Sequence, residues 1–273
     1  MDFMTTESGP QRMNACDARP AMFDLTGHVA VVTGGGRGIG LGMAEGLARA
    51  GADVAIWGRD EARLEQARER LAAHGTGVLA TRCDVSDAAD VERAFAATLR
   101  ELGRIDSCFA NAGVAPDGAG FLDLSIDEFR RVIAINLEGA FLTLRGAARH
   151  MVARKSGGSL VGVASLSAIE GQARAQAYSA SKGGLVSMIR GCAVELARHG
   201  IRANAILPGW IETRMTDGAL TSDPVVAKVL PRIPVRRWGQ PGDFAATAVY
   251  LAAPGSAYHT GDALIVDGGY HAF

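Results

Sequence analysis

The chain has 273 residues, 48% hydrophobic and 21% charged, with a net charge of −1. That is enough apolar material for one large core or two small ones, and it leaves no basic footprint for nucleic acid. No run approaches the ~18 apolar residues of a membrane helix. The four cysteines (Cys16, Cys83, Cys108, Cys192) and six histidines have neither paired nor metal-ligand spacing, so the expectation is a reduced, cytoplasmic chain without a metal site.

Residues 1–24 are polar and mixed, with no continuous apolar core of a signal peptide. They read as a flexible N-terminal tail before a single domain, residues 25–273. Val29 to Thr33 is a β-branched run ended by glycines, the pattern of a buried strand. Gly34-Gly35-Gly36-Arg37-Gly38-Ile39-Gly40 follows. Ile39, Met43, Leu47 and Ala50 then recur at helical spacing until Gly51. Strand, glycine turn and helix start form a phosphate cradle. Missing side chains let the backbone approach a pyrophosphate, and the free N–H groups of the helix N-terminus bind it. Gly34, Arg37, Gly38, Ile39 and Gly40 are therefore candidate cofactor contacts, although Gly34-x-x-x-Gly38-x-Gly40 departs from the G-x-G-x-x-G fingerprint.

Asp53 to Trp57 reads as the second strand, residues 60–74 as a charged helix and Val78 to Arg82 as the third strand. Asp87 is placed to cap a helix with Val91, Phe95, Leu99 and Leu102 inward. Ile105 to Ala110 is the fourth strand. The small residues Asn111-Ala112-Gly113 after it leave room for a cofactor at the switch point of a sheet. Residues 125–155 predict one long, bent helical stretch, with Asn136 in its middle as a poor helix former. Gly158 to Val163 is the fifth strand, followed by a loop with Ser165 and Ser167.

Tyr178-Ser179-Ala180-Ser181-Lys182 opens a helical segment that runs to about His199. Tyr178 and Lys182, four apart, share a face. A positive charge about 4 Å from the phenol, at an effective dielectric of about 20, favours the phenolate by roughly 4 kcal/mol. That would lower its pKa by up to about 3 units and make the tyrosine a usable acid–base group near neutrality. Gly183, Gly184 and Gly191 make this helix costly, which predicts close packing on the sheet or a subunit interface. Ile201 to Leu207 is the sixth strand. Residues 210–240, with Pro224, Pro231 and Pro234 and no clean period, read as a mobile lid. Pro241 starts a helix to about Ala253, and residues 263–269 are a last strand and turn. The alternation predicts an α/β fold: a single Rossmann-type doubly wound parallel sheet of about seven strands with helices on both faces.

The Thr33–Gly40 loop, Asn111-Ala112-Gly113, Asn136, Ser165, Tyr178, Lys182 and Pro208-Gly209 occur in this order, with Ser165 thirteen residues before Tyr178. By these motifs the chain resembles the single-domain branch of the short-chain dehydrogenase/reductase family, including members like the 3-oxoacyl-(acyl-carrier-protein) reductases and the glucose 1-dehydrogenases. The resemblance covers nearly everything beyond the tail. It implies an NAD(P)(H)-dependent oxidoreductase that moves a hydride between nicotinamide C4 and a ketone or secondary alcohol. It implies that Ser165 and Tyr178 hold the substrate oxygen and that Tyr178 is the acid or base. Lys182 would tune the tyrosine and grip the nicotinamide ribose. Asn136 would interrupt its helix around a water that links the lysine to solvent. Asp84 and Val85 are implied at the adenine; Pro208, Gly209, Ile211 and Thr213 at the nicotinamide amide and pyrophosphate. The acidic position closing the second strand falls on Gly58, and Arg59 follows. Arg59 with Arg37 suits a 2′-phosphate, which favours NADP over NAD.

A homotetramer is implied by the same resemblance. Ile169, Gln172, Trp210, Met215 and the segment Tyr270-His271-Ala272-Phe273 are candidate pocket residues, suggesting a fairly apolar carbonyl compound. An acyl-carrier-bound ketone, a sugar and a secondary alcohol all stay open. Two other classes make different demands on the sequence. A catalytically silent nucleotide-sensing regulator should have lost Tyr178 or Lys182. A sugar-nucleotide epimerase or dehydratase usually needs a separate C-terminal substrate domain, and few residues follow Gly269.

Overall fold

The computed structural model describes residues 21–273; residues 1–20 of the expected tail, with Cys16, lie outside the described residues. Its strands are β1 (Val29–Thr33), β2 (Asp53–Gly58), β3 (Val78–Arg82), β4 (Ser107–Ala110), β5 (Gly158–Val163), β6 (Ile201–Pro208) and β7 (Ala263–Val266). They pair in parallel as one sheet in the order β3-β2-β1-β4-β5-β6-β7. Successive side chains of a strand point to opposite faces. Val31, Ala55 and Trp57 therefore join one core layer, and Ala30, Val32, Val54 and Ile56 join the other.

The first layer packs under helices α3 (Ala88–Leu102), α5 (Gly139–Arg154) and α6 (Gln176–Leu196). The second packs under α1 (Gly38–Arg49), α2 (Glu61–Ala72) and α9 (Ala245–Ala252). Both faces of a parallel sheet are thereby covered, as its uninterrupted apolar strands require. Asp87 caps α3 as expected, its carboxylate accepting from the Ala89 and Asp90 N–H groups, and Gly103 ends that helix at φ 77°.

Three segments differ from the sequence expectation. Residues 125–155 are not one bent helix: α4 (Ile126–Ile133) and α5 are joined by a π-helical turn at Ala134–Glu138 that contains Asn136. A π-bulge adds a residue to the turn and frees backbone groups, a feature concentrated at functional sites. The 210–240 segment is not irregular throughout, because it holds α7 (Asp217–Leu220) and α8 (Asp223–Val229). Of the α6 glycines, Gly183 faces another backbone only at ordinary contact distance, 3.7 Å to the Ala168 carbonyl oxygen. A Cβ on Gly184 would meet the Leu137 side chain at 3.0 Å, and one on Gly191 would meet nothing within 4 Å. The tight fit comes from the sheet side instead: a Cβ on Gly162 of β5 would lie 3.1 Å from both Leu185 and Ile189 of α6. That missing side chain seats α6, and with it Tyr178 and Lys182, on the sheet.

Candidate active site

The strand order reverses between β1 and β4. The connections leave these two neighbours in opposite directions, which opens a crevice at their carboxyl ends. Thr33 closes one end and Asn111-Ala112-Gly113 the other. The buried Thr33 hydroxyl accepts from the N–H groups of Asn111 and Ala112, each at 3.0 Å. Asn111 returns the link, Nδ2 donating to the Thr33 carbonyl at 2.9 Å. The Asn111 side chain is therefore a brace between the two loops. Gly34, at φ +65°, allows this contact, since a Cβ there would lie 2.9 Å from Asn111 Nδ2.

Arg37 precedes α1, and no side chain caps that helix. Its first N–H groups are left for a ligand, with Thr213 against Gly38 from the opposite side. An uncapped helix start behind a side-chain-free turn fits an anionic pyrophosphate. Beside it, burial holds Arg37 below the ordinary arginine value, and the positive charges of Arg63, Arg214 and Arg59 push the same way against Asp60. Arg63 and Arg214 were not singled out from the sequence. Arg63 lies one turn beyond Arg59 and was legible as a candidate; Arg214, far along the chain, carried no local signal. Arg59 also reaches Asp84 at 3.8 Å. Asp84 is held below the usual carboxylate value, first by the Ser86 hydroxyl and then by the Ser86 N–H and the two arginines Arg59 and Arg82. Val85 is buried against Gly139.

Lys182 is buried, and its ammonium donates to the carbonyl of Val163, the last residue of β5, at 2.7 Å. A Cβ on Gly113 would lie 3.5 Å from Lys182 Nζ and 3.2 Å from Asn136 Oδ1, so the three share one spot. Asn136 Oδ1 accepts from the Val114 N–H at 2.8 Å, and its Nδ2 donates to the Val114 carbonyl and to Ser181 Oγ. Ser181 in turn donates to the Tyr178 carbonyl at 2.6 Å. The π turn is thus tied to the loop after β4 and to the start of α6. The Ser165 hydroxyl acts on Tyr178 as a hydrogen-bond partner. Ser165, Tyr178, Lys182, Asn136 and Gly113 gather at the carboxyl edge of the sheet.

The electrostatics correct one expectation. Lys182 does not lower the tyrosine here: burial raises the Tyr178 phenol above its ordinary value, and only the Ser165 hydroxyl opposes it. The lysine itself is pushed down to about 8 by burial. Its Nζ lies 5.6 Å from the Tyr178 ring centroid and is engaged by the Val163 carbonyl. Desolvation is the leading cause for both groups.

Pro208 ends β6, and the Gly209 N–H continues the ladder to the Val266 carbonyl at 3.0 Å. Ile211 is buried and bridges to Gly239. Thr213 is fixed by Thr216, whose hydroxyl accepts from the Thr213 N–H. Of the expected pocket residues, Ile169 and Met215 are about half exposed. Trp210 packs on Tyr270 and Trp238, ring centroids 6.5 Å apart in each case. Tyr270 is buried with Leu166, Val229 and Ile233, and Arg232 donates to its hydroxyl at 2.9 Å. His271 reaches Glu170 at 2.7 Å. The C-terminal turn therefore fastens α8 and its following turn to the loop after β5.

This architecture is that of a dinucleotide-dependent oxidoreductase. Residues 34–271 match the family model described as enoyl-(acyl carrier protein) reductase. The chain is 37% identical over 249 residues to L-rhamnose 1-dehydrogenase (NAD(P)(+)) from Azotobacter vinelandii, covering 90% of this chain and 97% of that protein. It is 38% identical over 245 residues to a 3-oxoacyl-(acyl-carrier-protein) reductase from Chlamydia pneumoniae, with the same coverage. The crystal structure of a gluconate 5-dehydrogenase from Burkholderia cenocepacia, in complex with NADP and tartrate, superposes with a TM-score of 0.88 at 32% identity, over 93% of this chain and 98% of that one. The chain belongs to the short-chain dehydrogenase/reductase family, and it is an NAD(P)-dependent oxidoreductase of alcohols and ketones.

Proposed function

We propose that the protein is an NADP(H)-preferring dehydrogenase/reductase in which Tyr178 exchanges the proton, Ser165 orients the reacting oxygen and Lys182 holds the cofactor ribose. The observation that carries this is the meeting of Ser165, Tyr178 and Lys182 beside Gly113 at the switch-point crevice. Gly34, Gly38, Ile39, Gly40 and Thr213 are assigned to the pyrophosphate, Arg37 and Arg59 to the 2′-phosphate, and Asp84 and Val85 to the adenine. Pro208, Gly209 and Ile211 are assigned to the nicotinamide side. Bound there, the nicotinamide supplies or accepts the hydride. Tyr178, its pKa raised, carries its proton at neutral pH and is prepared to donate it to a carbonyl oxygen, which favours reduction; alkaline pH favours oxidation. Asn136 keeps the π turn open on Lys182.

A preference for NADP is supported by the cluster of Arg37, Arg59, Arg63 and Arg214. A homo-oligomer is proposed from the family and from Phe141 on α5 and Val194 on α6, which are exposed at 43% and 84%. No observation favours a silent regulator. The test is Tyr178→Phe, followed at the reduced-nicotinamide absorbance band across ketones and alcohols with each cofactor. Turnover should fall by about 10²–10⁴-fold, the usual worth of a positioned acid–base group, with cofactor still bound. Turnover equal to the parent would refute the assignment.

A further inference from the structure

At the amino edge of the sheet, opposite the crevice, three side chains form a hydrogen-bonded chain that hydride transfer does not use. The Tyr250 hydroxyl of α9 meets His259 Nδ1 at 2.9 Å, and His259 Nε2 meets Asp262 Oδ2 at 3.0 Å, just before β7. Asp262 is held below the usual carboxylate value, first by the Ala263 N–H and then by His259 and Arg190. It is ionised at neutral pH and can only accept. In the neutral imidazole the proton therefore sits on Nε2, and the Nδ1 lone pair accepts from the Tyr250 hydroxyl. A nucleophile bonded to a base, with the base oriented by a third group, is the arrangement that activates a nucleophile.

The fold holds this chain in place. Asn204, buried on β6, donates from Nδ2 to the His259 carbonyl at 2.9 Å and accepts the Asp262 N–H at 3.1 Å. The His259 N–H donates to the Ser256 carbonyl at 2.9 Å, and the Gly261 N–H to the Ala203 carbonyl at 2.8 Å. Burial holds Arg202 below the ordinary arginine value, and its attraction to Tyr250 opposes that, so its charge favours a Tyr250 phenolate. Tyr250 and His259 are partly exposed and Asp262 is exposed, so the chain opens to solvent. Tyr258, one residue before His259, is fully exposed, and its hydroxyl has no partner among the described residues.

We infer that Tyr250, His259 and Asp262 form a nucleophilic centre, separate from the crevice, at which the tyrosine takes the acyl group of an activated ester. The Tyr250 oxygen bonds to the acyl carbon while its proton passes to His259 Nδ1. The bond from that carbon to the leaving oxygen breaks, and this oxygen departs with the electron pair. The imidazolium, steadied by Asp262, gives the proton to the departing oxygen or to water. No electrons change hands with a further reagent, and the step does not depend on hydride transfer. Asp262 is a positioning residue that acts through His259.

The test treats the full chain with p-nitrophenyl acetate and follows acetyl on each tyrosine by peptide mass spectrometry over time. Exposure alone would make Tyr258 react first. The centre makes Tyr250 react faster than Tyr258 by about 10²-fold or more, the usual worth of a positioned base. His259→Gln can still accept from the hydroxyl but cannot take its proton, and it should bring Tyr250 down to the Tyr258 rate. Asp262→Asn should give a rate between the two, and Asp262→Glu should restore the parent. Cofactor titration by fluorescence shows that each variant is folded, and the comparison within the parent needs no variant. Tyr250 no faster than Tyr258, acetyl that collects elsewhere but not on Tyr250, or a Tyr250 rate that His259→Gln leaves unchanged would each overturn the centre and leave hydride transfer standing.

Discussion

Lys182→Met separates what the buried lysine does for function from what it does to stability. The folded lysine has a pKa of about 8, against an ordinary lysine value of 10.5. A difference of about 2.5 units corresponds to roughly 3 kcal/mol of preference for the neutral form in the folded state. The sign follows from linkage. Below the folded pKa the lysine is charged in both states, and the folded state carries the whole desolvation cost. Between about pH 8 and 10.5 the unfolded state binds more protons than the folded state, so the parent gains stability as pH rises, and above that range the cost is gone. Methionine fills similar space without the charge. It leaves the Val163 carbonyl without its donor, which costs about 1–3 kcal/mol at every pH.

At about pH 7 the variant should therefore be as stable as the parent, or up to about 2 kcal/mol more stable. By about pH 9.5 this difference should have moved against the variant by roughly 2 kcal/mol. For a domain of this size that is a change of about 4–8 °C in the Tm difference. Paired thermal melts across the pH range measure it, and hydride transfer should be lost throughout. A Tm difference that stays constant with pH would mean that the lysine is not desolvated in the fold and would refute the reasoning.

The other predictions concern the parts that shape the crevice. Thr33→Val keeps the shape but leaves the Asn111 and Ala112 N–H groups without their acceptor; unfolding by urea should show a loss of about 2–4 kcal/mol, and an unchanged midpoint would count against the brace. Gly162→Val must push Leu185 and Ile189 from 3.1 Å. A loss of about 1–3 kcal/mol is expected from overpacking, with a lower kcat because α6 moves on the sheet. A variant with parental Tm and kcat would sink that account. Arg37→Ala should weaken NADPH binding by about tenfold or more and NADH binding much less, as for one charge-assisted bond to a phosphate. Equal weakening of both in fluorescence titrations would place Arg37 at the pyrophosphate instead.

What the chain announced by itself is local and periodic. Val29 to Thr33, Val78 to Arg82 and Gly158 to Val163 are strands at the limits their apolar runs predicted. The glycine turn before α1 and the four-residue step from Tyr178 to Lys182 needed only neighbours in sequence to be legible. Asn136 marked the π turn as an irregularity without revealing its form. Other properties depended on distant segments. Arg214 joins the Arg37 cluster from beyond β6, and Tyr270 closes over Trp210 from the end of the chain. The tyrosine's titration was expected to fall because Coulomb attraction can be estimated from spacing alone. It rises because desolvation depends on everything packed around the phenol, while the lysine is engaged by the Val163 carbonyl, nineteen residues before it on β5. Spacing along a helix fixes which groups can meet, whereas burial, set only when the sheet and its helices close, fixes the charge they carry there.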